Sequence, residues 1–380
     1  MSLEAALAWL DGQGPALEEL LAALVRQNSF TENRPGVNAV VDRLAAELER
    51  LGLSPERVPS ERFGDHLAFA GPAAGSPVFL LGHTDTVFRP GQFDGYESDG
   101  RVARGPGVFD MKGGLAVMLF GLAAARRAGL LDRVAVRGLL VADEEVGSPE
   151  SQPLTRARAA GAACALCFES GREGDLVVTA RKGAAAVHAE ASGVAAHAGN
   201  DWARGRNAVW ALARFVDRVQ GLSEPDRGTT VSVGLFEGGS TRNTVPARAR
   251  CEVDLRYATA ADGELLFRKL SAAAGEAAFP GTRIELFRTS WRLPMARTAA
   301  SAEVARRYGE CQAASGLGSG EAPLAGGGSD ACTTSAVGIP SIDGLGPRGA
   351  AYHTRDERIE VTSLVPKAAA LCRFLATRAG

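Results

Sequence analysis

Along the first 180 positions, apolar residues follow two alternating periods. Val37, Val40, Val41, Leu44, Leu48 and Leu51 recur at helical spacing, and Gly52 supplies a stop. Residues 78–81 form a short apolar run that ends in Gly-His and predicts a strand. Residues 113–128 predict a buried helix, and 134–142 and 163–168 predict two further strands. Strands that alternate with helices predict an α/β domain with a largely parallel sheet.

The pattern changes in the middle of the chain. Residues 184–191 predict a strand and 206–219 a helix. Residues 230–236 and 247–257 predict two strands across a Gly-rich, Pro-containing turn, followed by a helix over 261–278 and a strand over 283–288. That order, β-α-β-β-α-β, is a ferredoxin-like split unit. From about Trp291 the helix/strand pattern returns with Gly-rich loops, so the unit reads as an insertion. The expected organisation is an α/β domain over 1–179 and 290–380, interrupted by an α+β domain over 180–289. A chain of 380 residues exceeds what one core usually supports, which agrees with two domains.

Composition narrows the function classes. The 42 Lys and Arg against 44 Asp and Glu leave a net charge of −2, so there is no electrostatic reason to expect nucleic acid or an anionic membrane as partner. Six Cys scattered through a long chain predict reduced thiols and a cytoplasmic location. The N-terminus lacks the basic start and apolar stretch of a secretory signal, and the apolar run 115–125 is too short to span a bilayer. Cys164 and Cys167 form a lone C-x-x-C inside an apolar run, which predicts buried strand residues rather than a metal or redox pair.

Four motifs carry candidate chemistry, and three of them fall at predicted carboxyl ends of strands, where open α/β sheets place their ligands. His83-Thr84-Asp85 follows the run 78–81; a carboxylate beside an imidazole fixes its tautomer and raises its basicity. Gly105-Pro106-Gly107 leads into Asp110-Met111-Lys112-Gly113-Gly114 ahead of a helix, with Asp where a dinucleotide fingerprint would have Gly. Glu144-Glu145-Val146-Gly147-Ser148 follows the run 134–142, and Glu169 follows 163–168. A late His353, in Tyr-His-Thr, completes the set. Singly, each has an ordinary reading as a turn, a helix start or a surface pair. Their joint order and shared position at strand ends are hard to obtain by accident.

Together these motifs resemble the family of glutamate carboxypeptidase, acetylornithine deacetylase, succinyl-diaminopimelate desuccinylase and aminoacylase, and the resemblance covers essentially the whole chain, insertion included. It implies a metal-binding catalytic domain and an inserted dimerisation or lid domain. It also implies two divalent ions, most readily zinc, with cobalt or manganese acceptable to the same donors. Asp110 would bridge them, His83 and Glu169 would complete one site, and Glu145 and His353 the other. Glu144 would be the general base, Asp85 the partner of His83, and the peptide between Asp110 and Met111 cis. Two +2 ions against three carboxylates and one bridging hydroxide give a neutral cluster, which lowers the cost of burying it.

In the insertion, His197 of Ala-His-Ala-Gly resembles a histidine that reaches the oxyanion across a dimer, and Asn243 a second contact from the partner subunit. Arg256 resembles the residue that grips a substrate carboxylate, with an intradomain pair to Asp254 as the alternative. Lys182, in Arg181-Lys182-Gly183, would add positive charge. Gly327, Gly328 and Ser329 would line the substrate, and Asp330 could cap the next segment. His66 and His188 match no motif and read as structural. After His353 the chain runs Thr-Arg-Asp-Glu, where several relatives differ, so the subfamily stays open.

The implied activity is metal-dependent cleavage of an amide or peptide bond that releases a C-terminal amino acid such as glutamate, by a homodimer acting on a small peptide or N-acyl amino acid. The segment Phe168-Glu169-Ser170-Gly171-Arg172-Glu173 favours the glutamate carboxypeptidase branch. A deacylase for N-acetylornithine or N-succinyl-diaminopimelate is the close rival, since both break the same bond type. A non-catalytic binding protein on the same fold would be expected to have lost Glu144 or a ligand. A serine hydrolase lacks its Gly-x-Ser-x-Gly elbow here.

Overall fold

The structure, a computed structural model, describes residues 1–379. The chain divides into two compact units: Met1–Ala180 with Met295–Ala325 and Ser329–Gly380, and Arg181–Pro294 with Gly326–Gly328. The end of the insertion falls at 294/295 rather than 289/290, because the strand expected to stop at 288 runs on to Arg292.

The first unit is built on a six-stranded sheet in the order Ser54–Val58, His66–Ala70, Val136–Val141, Val78–His83, Cys164–Cys167, Ser341–Ile342. The last four strands in that order are mutually parallel, and the two at the other edge are antiparallel. Both faces are covered. Leu80, Val136, Leu140 and Leu166 pack into one apolar cluster, and Phe79, Leu81, Val141 and Cys167 into another. That two-sided burial explains why these strands read as continuous apolar runs instead of alternating ones. Each fully buried Leu or Phe contributes roughly 1.5–3 kcal/mol of transfer free energy. Cys164 and Cys167, three residues apart, fall on opposite faces of the sheet and cannot act as a pair.

Residues Val108–Arg127 are long and apolar enough to cross a membrane by length and composition, but most of that stretch is buried inside the unit. The helix Gly113–Arg127 packs against the C-terminal helix Leu364–Ala376 and the first two helices, Leu3–Asp11 and Gly14–Arg26, and serves as a core helix.

The second unit has a four-stranded antiparallel sheet in the order Thr230–Gly238, Arg248–Tyr257, Gly183–Ser192, Arg283–Arg292. With helices Ala208–Gln220 and Ala260–Ala277, it has the β-α-β-β-α-β order expected from the sequence. Val187, Ala189, Val253 and Leu255 alternate inward against Leu212, Phe215, Leu266 and Leu270 of the helices. His188 lies on the other face between Glu252, at 2.7 Å, and Glu190, at 3.0 Å.

Candidate metal centre

Three neighbouring parallel strands deliver their carboxyl ends to one place. His83 is the last residue of the central strand, Val78–His83. Glu144 and Glu145 open a single helical turn just after Val136–Val141, and Glu169 lies two residues past Cys164–Cys167. Asp110 enters from the Gly-rich loop, followed by the cis peptide Asp110–Met111. Gly107 has φ 71°, and a side chain there would meet Thr86. At Gly114 a Cβ would overlap the Phe168 carbonyl oxygen, so only glycine lets the helix start close to the Glu169 segment.

The two Asp110 carboxylate oxygens face different imidazoles. Oδ1 is 3.2 Å from His83 Nε2, and Oδ2 is 3.3 Å from His353 Nε2. Glu169 Oε1 lies 3.7 Å from the same His83 nitrogen, and Glu145 Oε2 lies 3.1 Å from the same His353 nitrogen. The candidate ligand atoms therefore form two trios that share Asp110, each with its atoms within 4.8 Å of one another. His353 has a left-handed φ of 62°, a conformation that costs a non-glycine residue about 1–3 kcal/mol.

The electrostatics reflect this crowding of acceptors. Burial works against a charged His83, yet its bonds to Asp110 and Asp85 raise it well above the ordinary histidine range. Bonds to Asp110 and Glu145 lift His353 to about 10. Burial pushes Glu145 up to about 8, and burial together with the Asp110 charge pushes Glu169 well above the carboxylate range. Burial also acts on Asp110, but the bonds from His353 and His83 outweigh it and hold its carboxyl well below the usual range.

These residues fit divalent cations. Each Nε2 is aimed between two carboxylates, an arrangement that requires either a proton or a cation among them. Glu145 Oε1 is buried and has no hydrogen-bond partner, as a carboxylate reserved for a metal would be. Two imidazoles and three carboxylates suit zinc and similar ions.

Asp85 does more than the sequence expects of it. His83 Nδ1 is 3.0 Å from the Asp85 backbone oxygen and 3.4 Å from its carboxylate. The carboxylate, fully buried, accepts the backbone N–H of Glu144 and of Glu145, each at 3.2 Å, and the Thr31 hydroxyl at 2.8 Å. Two participants have no counterpart among the motifs. Thr31 is one. The other is Glu357, fully buried, which accepts N–H bonds from Gly107 at 3.1 Å, Phe109 at 2.8 Å and Asp110 at 2.9 Å. Its position in a charged run, Arg-Asp-Glu-Arg, gives it the look of a solvated turn.

The remaining candidates are distributed as follows. Ser329 donates to Asp343 at 2.5 Å, and Asp330 accepts from Ser148 at 2.6 Å, so the Asp330 side chain does not cap the helix Ala331–Ala336. Gly327 and Gly328 group with the second unit, where the Gly327 carbonyl accepts from Arg181 at 3.0 Å and Gly328 packs against Arg292. Also in that unit, the bridge Ala196–His197 pairs with Thr244–Val245, and the Asn243 carbonyl accepts from the Ala198 N–H at 2.9 Å, which places His197 and Asn243 together. His197 Nδ1 accepts backbone N–H bonds from Gly199 and Asn200, each at 3.1 Å, so the neutral ring carries its proton on Nε2. Arg256 is paired with Asp254 through Nε and Nη2, at 2.8 and 2.9 Å. Lys182 stands immediately before the strand Gly183–Ser192.

Comparison with known proteins gives a concordant picture. Residues 79–377 match the model of peptidase family M20/M25/M40. Carboxypeptidase G2 of Pseudomonas sp. is 28% identical over 360 residues, 93% of this chain and 86% of that protein. A succinyl-diaminopimelate desuccinylase of Cereibacter sphaeroides is 30% identical over 384 residues, 94% of this chain and 97% of that protein. Among solved structures, a tripeptidase of Staphylococcus aureus superposes with a TM-score of 0.82 at 21% identity, covering 96% of this chain and 98% of that one, a likeness of fold.

Proposed function

The chain belongs to peptidase family M20/M25/M40 and is a hydrolase of that family; from this we propose that it is a dinuclear zinc enzyme that releases a C-terminal amino acid from a small peptide or N-acyl conjugate. One observation carries the proposal: two ligand trios share Asp110, with Glu144 beside Glu145 on the same turn. His83, Asp110 and Glu169 would hold one ion, and Asp110, Glu145 and His353 the other. Such ions acidify water and polarise the scissile carbonyl.

The chain's own residues supply the rest. Glu144 accepts a proton from the water whose oxygen attacks the amide carbon, and delivers it to the nitrogen as the C–N bond breaks. Without that proton the nitrogen would have to leave as an amide anion, a very poor leaving group. Asp85 fixes the turn from which Glu144 and Glu145 project. His197, with its proton on Nε2, is the donor assigned to the developing oxyanion, and Asn243 is its neighbour in that task. Asp254 takes the Nε/Nη2 edge of Arg256, and the other edge of the planar fork is assigned to the substrate carboxylate, with Lys182 adding charge. Gly328 and Ser329 are assigned to the substrate lining.

A homodimer is part of the same proposal. The strand Thr230–Gly238 is an edge of its sheet and exposes Leu235 and Phe236, and the helix Ala208–Gln220 exposes Trp210. An open edge with apolar side chains is a surface that a second copy can cover. The six free, buried cysteines support a reducing, cytoplasmic setting.

Likeness to the desuccinylase along nearly the whole chain favours one second reading, an N-acyl-amino-acid deacylase. A substrate panel separates the two. It would hold N-acyl glutamates and dipeptides beside N-acetylornithine and N-succinyl-diaminopimelate, each with and without chelator. Chelator-sensitive release of glutamate from the first group supports the carboxypeptidase; preference for the second group replaces it with the deacylase. Absence of hydrolysis from metal-loaded protein across the panel rejects both.

A further inference from the structure

The Glu357 carboxylate has no catalytic assignment, yet it is fully buried and takes three backbone N–H bonds from one loop. Oε1 accepts from both Phe109 and Asp110, and Oε2 accepts from Gly107. Burying a carboxylate is costly, and three charge-assisted bonds from fixed amides are the kind of compensation that makes it tolerable. One of those amides is the N–H of Asp110 itself, the residue whose two oxygens must face His83 and His353 at once.

The position of Glu357 along the chain adds a second constraint. It immediately precedes the strand Arg358–Glu360, which pairs with Val102–Arg104 at the entrance to the Gly-rich loop. It also lies on the segment that carries His353, four residues upstream. One carboxylate therefore ties the backbone of Asp110 to the segment that presents His353. Without it, the loop 105–110, which contains glycines at positions 105 and 107, has other conformations open to it.

We propose that Glu357 is a positioning residue: through the amides of Gly107, Phe109 and Asp110 it fixes the Asp110 carboxylate in the orientation that lets it serve both metal sites. The proposal rests on the reading of Asp110 as the shared ligand, and the test separates the two.

The probe is Co²⁺ alone, titrated into metal-free protein against a competing chelator, with the thermal midpoint of the metal-free protein measured in parallel. The variants are Glu357→Gln, Glu357→Ala and Asp110→Asn. In Glu357→Gln the amide oxygen can keep the bonds to Phe109 and Asp110, while the NH₂ opposes the Gly107 N–H. The expected results are a Co²⁺ affinity lowered several-fold to about tenfold in Glu357→Gln, and lowered about 10–100-fold in Glu357→Ala, the range typical of groups that orient a ligand. Asp110→Asn should weaken binding more than either. Should Glu357→Ala fail to fold, Glu357→Gln decides alone. Affinity within twofold of the parent in the folded Glu357 variants, with Asp110→Asn impaired, overturns the positioning role; a lowered thermal midpoint with unchanged affinity does the same, because it marks a purely structural bond. Parental affinity in Asp110→Asn removes the shared-ligand reading and the inference with it.

Discussion

The backbone N–H of Glu145 donates to Oδ2 of Asp85 at 3.2 Å, while the N–H of Glu144 donates to Oδ1 of the same carboxylate. Asp85 thus touches both sides of the centre: its backbone oxygen meets His83 Nδ1, and its side chain holds the turn that carries Glu144 and Glu145. Asp85→Asn replaces one acceptor oxygen by an NH₂ donor, which sets donor against donor at a buried amide. We expect kcat/KM to fall about 10–100-fold, accompanied by partial loss of metal. Kinetics and elemental analysis on the purified variant check this, and parental values of both would leave Asp85 without the role.

Glu144 and Glu145 are adjacent but are assigned opposite tasks. Glu145 reaches His353 at 3.1 Å, whereas neither metal trio includes Glu144. Glu144→Gln is nearly isosteric and removes the proton acceptor alone. We expect kcat to drop about 10²–10⁴-fold, the usual worth of general acid–base catalysis, with metal content unchanged. Loss of metal from Glu144→Gln would show that the base and ligand assignments have been exchanged.

The sequence makes the convergent residues visible because three of the four motifs end strands, and those three strands are parallel neighbours in one sheet. The chain-distant His353 was legible only through resemblance. Glu357 and Thr31 were not legible at all: their importance lies in bonds to backbone amides and to a side chain far along the chain, which no local pattern encodes. The antiparallel edge hairpin Ser54–Val58 and His66–Ala70 also escaped the pattern. Its outer strand, Ser-Pro-Glu-Arg-Val, buries none of its residues fully and so lacks a strand's apolar signal. The ion pair of Arg256 with Asp254, which the sequence offers only as an alternative to a carboxylate-binding role, is present.

Proton binding at the centre predicts how pH acts on it. His353 is raised from an ordinary 6.5 to about 10, chiefly by its bonds to Asp110 and Glu145; its contribution to the stability of metal-free protein is complete below about 6.5 and is lost as pH rises through about 10. Glu145, raised by burial from 4.5 to about 8, favours the protonated folded state as well, and its effect has the same sign between those values. Asp110, held low, acts only in acid. Metal-free protein should therefore lose thermal stability as pH rises from about 6 to 9, while affinity for a divalent ion increases over the same range, because each bound ion displaces protons. Thermal midpoints with and without chelator, and proton release on Co²⁺ addition in weak buffer, measure both trends. A pH-independent affinity with no proton release would contradict them.

His197 offers the sharpest test of a site shared between two subunits. Its Nδ1 is engaged by the N–H groups of Gly199 and Asn200, so its remaining proton on Nε2 is available for a developing oxyanion. We expect His197→Ala to lose about 10²–10³-fold in kcat, as removal of one oxyanion donor does elsewhere, with metal content intact. If the histidine acts on the partner's metals, a heterodimer of His197→Ala with Glu144→Ala contains one intact site, built from the Glu144 of one subunit and the His197 of the other. Its second site lacks both groups. Unfolding and refolding the two inactive variants together should then restore a substantial fraction of parental activity, although neither recovers when refolded alone. A histidine acting within its own subunit leaves every site in the heterodimer with one defect, so the mixture stays inactive. With a different affinity tag on each variant, purification through both tags isolates the heterodimer, and a doubly tagged dimer that is inactive removes the cross-subunit assignment.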